Sequence, residues 1–190
     1  MTDKAAKWNR IYSDAASPGT PAWLLQQHAE LLPRSGLALD IACGTGANSL
    51  FLARRGLVVN SWDISAVAIE RLNAAASAEQ LPVDTAVRDI QPGDFPVARF
   101  NLVINFHYLD RGIIPAMKAS LAPAGILVFQ TFVAGKVANV GPANPAFLMN
   151  PGEPESLMEG LEILVAGSGR DIPDEQHPQA GRGWVIARAA

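Results

Sequence analysis

With 190 residues, 49% hydrophobic content, 17% charged residues and a net charge of −3, the chain suits one globular domain that buries about 70% of its unfolded surface. The acidic balance, without a Lys/Arg cluster, argues against broad nucleic-acid binding. No stretch suits a signal peptide or a bilayer span, and the lone Cys43 cannot close an internal disulfide, so a reducing cytoplasm is the expected setting, with no membrane partner.

Residues 4–12 read as a short helix carrying Trp8 and Tyr12, four apart and so on one face. Ser17-Pro18-Gly19 breaks the chain; Thr20 with Pro21 then opens a helix whose Leu24, Leu25, His28, Leu31 and Leu32 share an apolar face. Residues 37–52 carry the densest signal. A short apolar run ends in a glycine turn, and a second apolar run at helical spacing follows: a strand, a ligand-facing loop and a helix N-terminus. Gly44 and Gly46 tolerate unusual dihedrals and close approach to the main chain. Asp40 adds a carboxylate, which repels phosphate and favours an ammonium group or a sugar hydroxyl. Ser49 stands where the dinucleotide fingerprint has its third glycine, which weakens a nicotinamide reading. Cys43 reads as a small residue beside the loop.

A second strand over 57–62 closes on Asp63, about twenty residues past the loop, where a carboxylate accepts hydrogen bonds from a ribose hydroxyl pair. Ser65 caps a helix buried through Ile69, Leu72 and Ala76. A third strand over 83–87 runs into Asp89-Ile90, and a fourth over 100–106 delivers Asn105 to a polar mouth, residues 105–111, containing His107 and Tyr108. Ile114, Met117 and Leu121 bury the following helix, residues 123–125 turn the chain, and residues 126–132 form an apolar central strand. The Gly-, Pro- and Asn-rich stretch 134–152 is long enough to be a functional lid, with Phe147, Leu148 and Met149 as candidate pocket residues. A short helix over 153–159 and strands over 161–166 and 184–187, joined as an antiparallel hairpin, complete the chain. His28, His107 and His177 have no metal-ligand spacing.

Asp40-Ile41-Ala42-Cys43-Gly44-Thr45-Gly46, with Asp63 and Asp89 after the second and third strands, resembles motif I and the acidic strand ends of class I methyltransferases that use S-adenosyl-L-methionine. The resemblance covers residues 36–133 and implies a Rossmann-like methyltransferase fold: a doubly wound, mostly parallel seven-stranded α/β sheet with a C-terminal antiparallel hairpin. It implies one domain over 1–190, with 1–34 as a helical cap and 134–152 as a substrate loop. It further implies S-adenosyl-L-methionine held at Asp40, Cys43, Gly44, Gly46, Asp63, Ile64, Asp89, Ile90 and Asn105. Ile64 would lie on an adenine face, Asp89 at the adenine amino group, and Trp8 with Tyr12 would be either a cover over the cofactor or a plain anchor. His107 and Tyr108 are the candidate catalytic residues, His107 being either a general base or a hydrogen-bonding wall of the pocket. In size and in its 144–153 segment the chain is similar to small bacterial tellurite-resistance methyltransferases, which implies a small acceptor with a soft chalcogen nucleophile. The rival readings are a non-catalytic cofactor- or partner-binding domain and a nicotinamide-dependent oxidoreductase.

Overall fold

The computed structural model describes residues 3–14 and 18–190. Seven strands form one sheet in the order β3-β2-β1-β4-β5-β7-β6. They are β1 (Leu37–Ile41), β2 (Val58–Asp63), β3 (Val83–Val87), β4 (Phe100–Phe106), β5 (Leu121–Phe132), β6 (Glu162–Ser168) and β7 (Arg182–Arg188). The first five pair in parallel, while β7 runs antiparallel between β5 and β6. The chain steps outward from β1 to β3, then returns to β4 on the other side of β1. Such a reversal opens a crevice beyond the carboxyl ends of β1 and β4. In register, Ile41 faces Trp62 on one side and Asn105 on the other, so three strand ends reach that crevice together.

Among the described residues, six α-helices flank the sheet: α1 (Asp3–Ser13), α2 (Trp23–Gln27), α3 (Ala47–Arg54), α4 (Ala66–Ala78), α5 (Ile114–Ala119) and α6 (Glu153–Leu157). The central strands are buried on both faces, which is why they read as unbroken apolar runs. Leu39, Ile41, Val103 and Phe129 pack with Ile113 and Met117 on one face. Ala38, Leu102, Ile104 and Val128 pack with Leu24, Leu25 and Leu52 on the other. Ser65 caps α4 by accepting the Ala68 N–H at 3.2 Å, as its position suggests.

Two local expectations change. Thr20 does not open the second helix: the Ala22 N–H donates to Asn48 Oδ1 at 2.8 Å, Ala22 stays extended, and α2 starts at Trp23. It lasts five residues before a 3-10 turn over Ala29–Leu31. Leu121 belongs to β5, not to the preceding helix. It pairs with Phe100, and the strand runs on through Pro123-Ala124-Gly125 with a register shift and Ala124 in the left-handed region at φ 57°. The stretch 134–152 is tied to the end of β5 through Met149. Met149 is fully buried, donates to the Phe132 carbonyl at 2.9 Å and accepts from the Ala134 N–H at 2.8 Å. Asn101 stands where an aspartate is usual in the family resembled. Its Oδ1 accepts the Leu37 N–H at 2.9 Å and so sets the start of β1.

Candidate active site

The loop after β1 turns sharply. Ala42 and Gly44 both take left-handed dihedrals (φ 54°), and Gly46 follows at φ 87°. The Cys43 N–H donates to the Trp62 carbonyl at 3.0 Å and the Gly46 N–H to the Cys43 carbonyl at 3.0 Å, so the loop is tied to β2 and to itself. The two glycines serve different neighbours. A Cβ on Gly44 would sit 2.8 Å from the Tyr12 hydroxyl, inside the ligand space, whereas one on Gly46 would strike the Leu72 side chain of α4.

Asp63 ends β2 with its carboxylate turned under the loop. One oxygen accepts the Gly44 N–H at 2.9 Å and the other the Ser65 N–H at 2.8 Å. The carboxylate has about four lone-pair sites, so it can still accept from a ligand hydroxyl. Burial raises the Asp63 pKa, and the backbone N–H groups of Ser65, Gly44 and Ile64 oppose the rise. Burial likewise pushes up the Cys43 thiol, so it stays protonated.

Beyond these groups lies a cavity of about 390 Å³. Its floor is Cys43, Gly44 and Gly46, and Asp63 with Ile64 forms one wall. Asp89 and Ile90 form the far wall; His107 and Tyr108 stand at the mouth. Trp8 and Tyr12, stacked with ring centroids 5.8 Å apart, line it from α1. Two expected residues are not brought to the wall. Asp40 is 1% exposed beneath the loop, where its Oδ2 accepts the Ser49 hydroxyl at 2.6 Å. Asn105 is fully buried among apolar neighbours, and neither its amide nitrogen nor its oxygen has a hydrogen-bond partner among the described residues. Both lie too early on their strands: Ala42, two residues after Asp40, and Phe106, one residue after Asn105, line the cavity in their place. The expected pocket residues 147–149 are also absent from its wall. Phe147 is half exposed, Met149 is core, and the Leu148 carbonyl accepts from Arg111, which pairs with Glu153.

Several wall and mouth residues carry no local sequence signal. Lys4 reaches across from α1 to Asp89 Oδ1 at 3.2 Å and lies 5.8 Å from the centroid of the Tyr108 ring. Arg182, 75 residues from His107, donates through Nε to His107 Nε2 at 3.1 Å and through Nη1 to the Ala180 carbonyl at 2.9 Å. Its guanidinium lies 4.9 Å from the centroid of the Phe132 ring, on which His107 also stacks at 5.2 Å. No carboxylate pairs with Arg182 among the described residues, and burial lowers its pKa.

His107 adopts a left-handed backbone (φ 59°), a strained conformation for a residue with a side chain. Part of its ring reaches solvent, yet loss of hydration against its neighbours, and then the Arg182 charge, push its pKa down to about 4. The imidazole is therefore neutral near pH 7, with Nε2 engaged as an acceptor. Burial first, then Asp110 and Asp89, push the Tyr108 phenol up to about 12, so it acts as a donor and not as a base.

Residues 38–125 match the methyltransferase domain family. Over 82 residues the chain is 33% identical to TehB of Haemophilus influenzae, whose name gives it as a probable S-adenosyl-L-methionine-dependent methyltransferase; the match covers 42% of this chain and 28% of that one. Over 122 residues it is 31% identical to YqeM of Bacillus subtilis (strain 168), named as a methyltransferase, covering 58% and 48% of the two chains. The chain thus spans less than half the length of these curated relatives. Its fold matches the crystal structure of TehB from Haemophilus influenzae with a TM-score of 0.74 at 20% identity, over 98% of this chain and 67% of that one. It also matches geranyl diphosphate C-methyltransferase from Streptomyces coelicolor A3(2), solved with S-adenosyl-L-homocysteine, with a TM-score of 0.70 at 15% identity over 99% and 98% of the two chains. In sequence and fold the chain is similar to class I S-adenosyl-L-methionine-dependent methyltransferases.

Proposed function

We propose that this chain, which carries a class I methyltransferase domain similar to TehB, transfers the methyl group of S-adenosyl-L-methionine to a small anionic acceptor. The observation that carries this reading is the cavity itself: a glycine loop at the sheet's reversal, flanked by Asp63 and Asp89 at two successive strand ends. Gly44 fits the cofactor because any side chain there would fill the space under Tyr12. In this reading Asp63 accepts the ribose hydroxyls, Ile64 and Ile90 flank the adenine, and Asp89 meets its amino group in place of Lys4. The whole chain acts as one domain, and the 134–152 segment holds the acceptor end through Arg111, Leu148 and Glu153.

When bound, S-adenosyl-L-methionine supplies an electrophilic methyl on a sulfonium. The protein's part is to align the reacting atoms about 3–3.5 Å apart and to exclude water, which Trp8, Tyr12 and Phe106 do from above and beside the loop. Held by Gly44, Asp63, Ile64, Asp89 and Ile90, the cofactor would supply that methyl to an acceptor lone pair, the old bonding pair remaining on sulfur. Arg182 supports an anion at the mouth, because its half-buried charge lacks a carboxylate partner among the described residues. A neutral, weakly basic His107 supports an acceptor that arrives with its lone pair free, such as a thiolate or a selenite- or tellurite-type oxyanion. His107 then serves as a hydrogen-bonding wall, and no general base is needed.

Calorimetry with S-adenosyl-L-homocysteine and with NAD tests the cofactor; labelled methyl donor with selenite, tellurite, small thiols and small amines tests the acceptor. The expected result is homocysteine-adduct binding without NAD binding, and label in an anionic small molecule. NAD binding alone would return the oxidoreductase reading, cofactor binding with no transfer the non-catalytic one, and label only in protein or nucleic acid would overturn the small acceptor.

A further inference from the structure

Asp40 is a buried acid without a cation among the described residues. It is 1% exposed, and its carboxyl accepts from Ser49 of α3, which itself accepts the Ser61 hydroxyl at 2.8 Å. Among the described residues, the groups that act on it from the surrounding elements are acids and neutral hydroxyls. From β2 comes Asp63, from the loop Cys43 and from α1 Tyr12: three further acids, each electrostatically coupled to the others. From β4, Ile104 lies opposite it in register, and α3 presents Ser49 with its basic residues at the far end. The nearest cations of the cavity rim are already engaged, Lys4 with Asp89 and Arg88 with Asp94 at 2.7 Å. The loop end of the cavity is thus bordered by buried acids with no countercharge among the described residues.

We infer that a ligand ammonium entering the loop end of the cavity expels a proton from Asp40, so that cofactor capture is proton-linked through the Asp40–Ser49–Ser61 unit. This rests on the cofactor reading above. The ammonium supplies the missing countercharge, and the carboxyl under the loop ionises in response. The O–H bond of the Asp40 carboxyl breaks, its electron pair stays on the carboxylate, and the proton leaves to buffer. The free protein holds this acid at about 7, with burial as the chief cause, so the linkage acts in the neutral range. The sign follows: ligand lowers the Asp40 pKa, the complex binds fewer protons, and affinity rises with pH until Asp40 is ionised in the free protein as well. A free amine that must be protonated to bind takes up a proton, the opposite sign, with an unperturbed pKa of about 7.7–8.0 for an α-amino group.

The test is calorimetry of the full chain with S-adenosyl-L-homocysteine at about pH 7 in three buffers of different ionisation enthalpy. The probe without an ammonium is 5′-methylthioadenosine. Net proton release on binding S-adenosyl-L-homocysteine is expected, because burial raises the Asp40 pKa and holds the acid partly protonated in the free protein, with none for the thioadenosine. Dissociation constants of the homocysteine adduct should fall toward about tenfold per pH unit below pH 7 and flatten above it. Asp40→Asn keeps an acceptor for Ser49 and should abolish the release. Should that variant not fold, Ser49→Ala removes the hydrogen bond that holds the acid down and should increase the release. Tight binding without proton release in the unaltered chain overturns the inference and leaves the cofactor reading standing. Equal release with both ligands overturns it too, since the ammonium would then not be the cause. Absence of binding by either ligand overturns the cofactor reading instead.

Discussion

The two ends of the cavity are opposites in charge. At the loop end Asp40, Cys43, Asp63 and Tyr12 crowd together, each raised first by burial, with no base among them. At the mouth Arg182 stands without a carboxylate among the described residues, and its charge helps to depress His107. An uncompensated charge in a poorly hydrated place is costly unless a ligand neutralises it. The contrast teaches that each end lacks the charge its ligand would bring: a cation at the loop, an anion at the mouth. Perturbed groups of this kind concentrate at functional sites.

The largest effect should come from Gly46→Val. A side chain there meets Leu72 and forces a left-handed position on a β-branched residue, so cofactor binding should vanish in calorimetry, with a clear loss of thermal stability. Gly44→Ala separates the two causes. Its Cβ meets the Tyr12 hydroxyl in the ligand space, so binding should fall further than stability does.

Asp40→Asn sharpens the loop-end half of the contrast through stability. The Asp40 pKa is raised from 3.8 to about 7, so its contribution is fully present below the unfolded value and is lost as pH rises through about 7. Above that pH the unaltered chain carries a buried carboxylate with no countercharge. Thermal melts of the free protein at about pH 8 should therefore show the variant more stable, by up to about 4 kcal/mol, with the gap closing toward pH 4. A variant less stable at every pH would break the account.

At the mouth, Arg182→Ala removes a charged donor. Its kcat/KM for an anionic acceptor should drop by about 1.5–3 kcal/mol, roughly 10- to 150-fold, while cofactor affinity stays put. The same variant should let the His107 pKa rise from about 4 toward its ordinary value, readable by NMR titration. In the unaltered chain the rate should show no His107 titration between about pH 6 and 7; a fall there that His107→Ala abolishes would reinstate the imidazole as base. Asp63→Ala should weaken S-adenosyl-L-homocysteine by about 1–3 kcal/mol, because two hydrogen bonds to hydroxyls are lost. Smallest is Lys4→Ala. Its pair with Asp89 is half exposed on both sides, so affinity should shift by about 1 kcal/mol or less and be salt-sensitive.

The loop end is far more legible in the sequence than the mouth. Gly44, Gly46, Asp63 and Asp89 can be read because each sits at a strand end or in a tight turn, positions set by short-range rules of periodicity and backbone freedom. The same rules point to Asp40 and Asn105, but one or two residues along a strand decide between cavity wall and core, and strand ends read from sequence are not that sharp. Leu121 reads as helical for a related reason. Its spacing from Met117 fits a helical stripe, yet pairing with Phe100 keeps it in β5.

The alternation of apolar strands and helices, read along the chain, determined a doubly wound sheet and the loop at its reversal, since burial on two faces demands those runs. Tertiary structure alone decided that β7 inserts beside β5. That placement brings Arg182 to His107 and Phe132, makes the mouth cationic and depresses the imidazole. The same folding brings Lys4 to Asp89 and Tyr12 over Gly44. Local sequence sets what each segment prefers to be; charge balance and hydration at a site are sums over segments far apart in the chain, and these exist only once the sheet has closed.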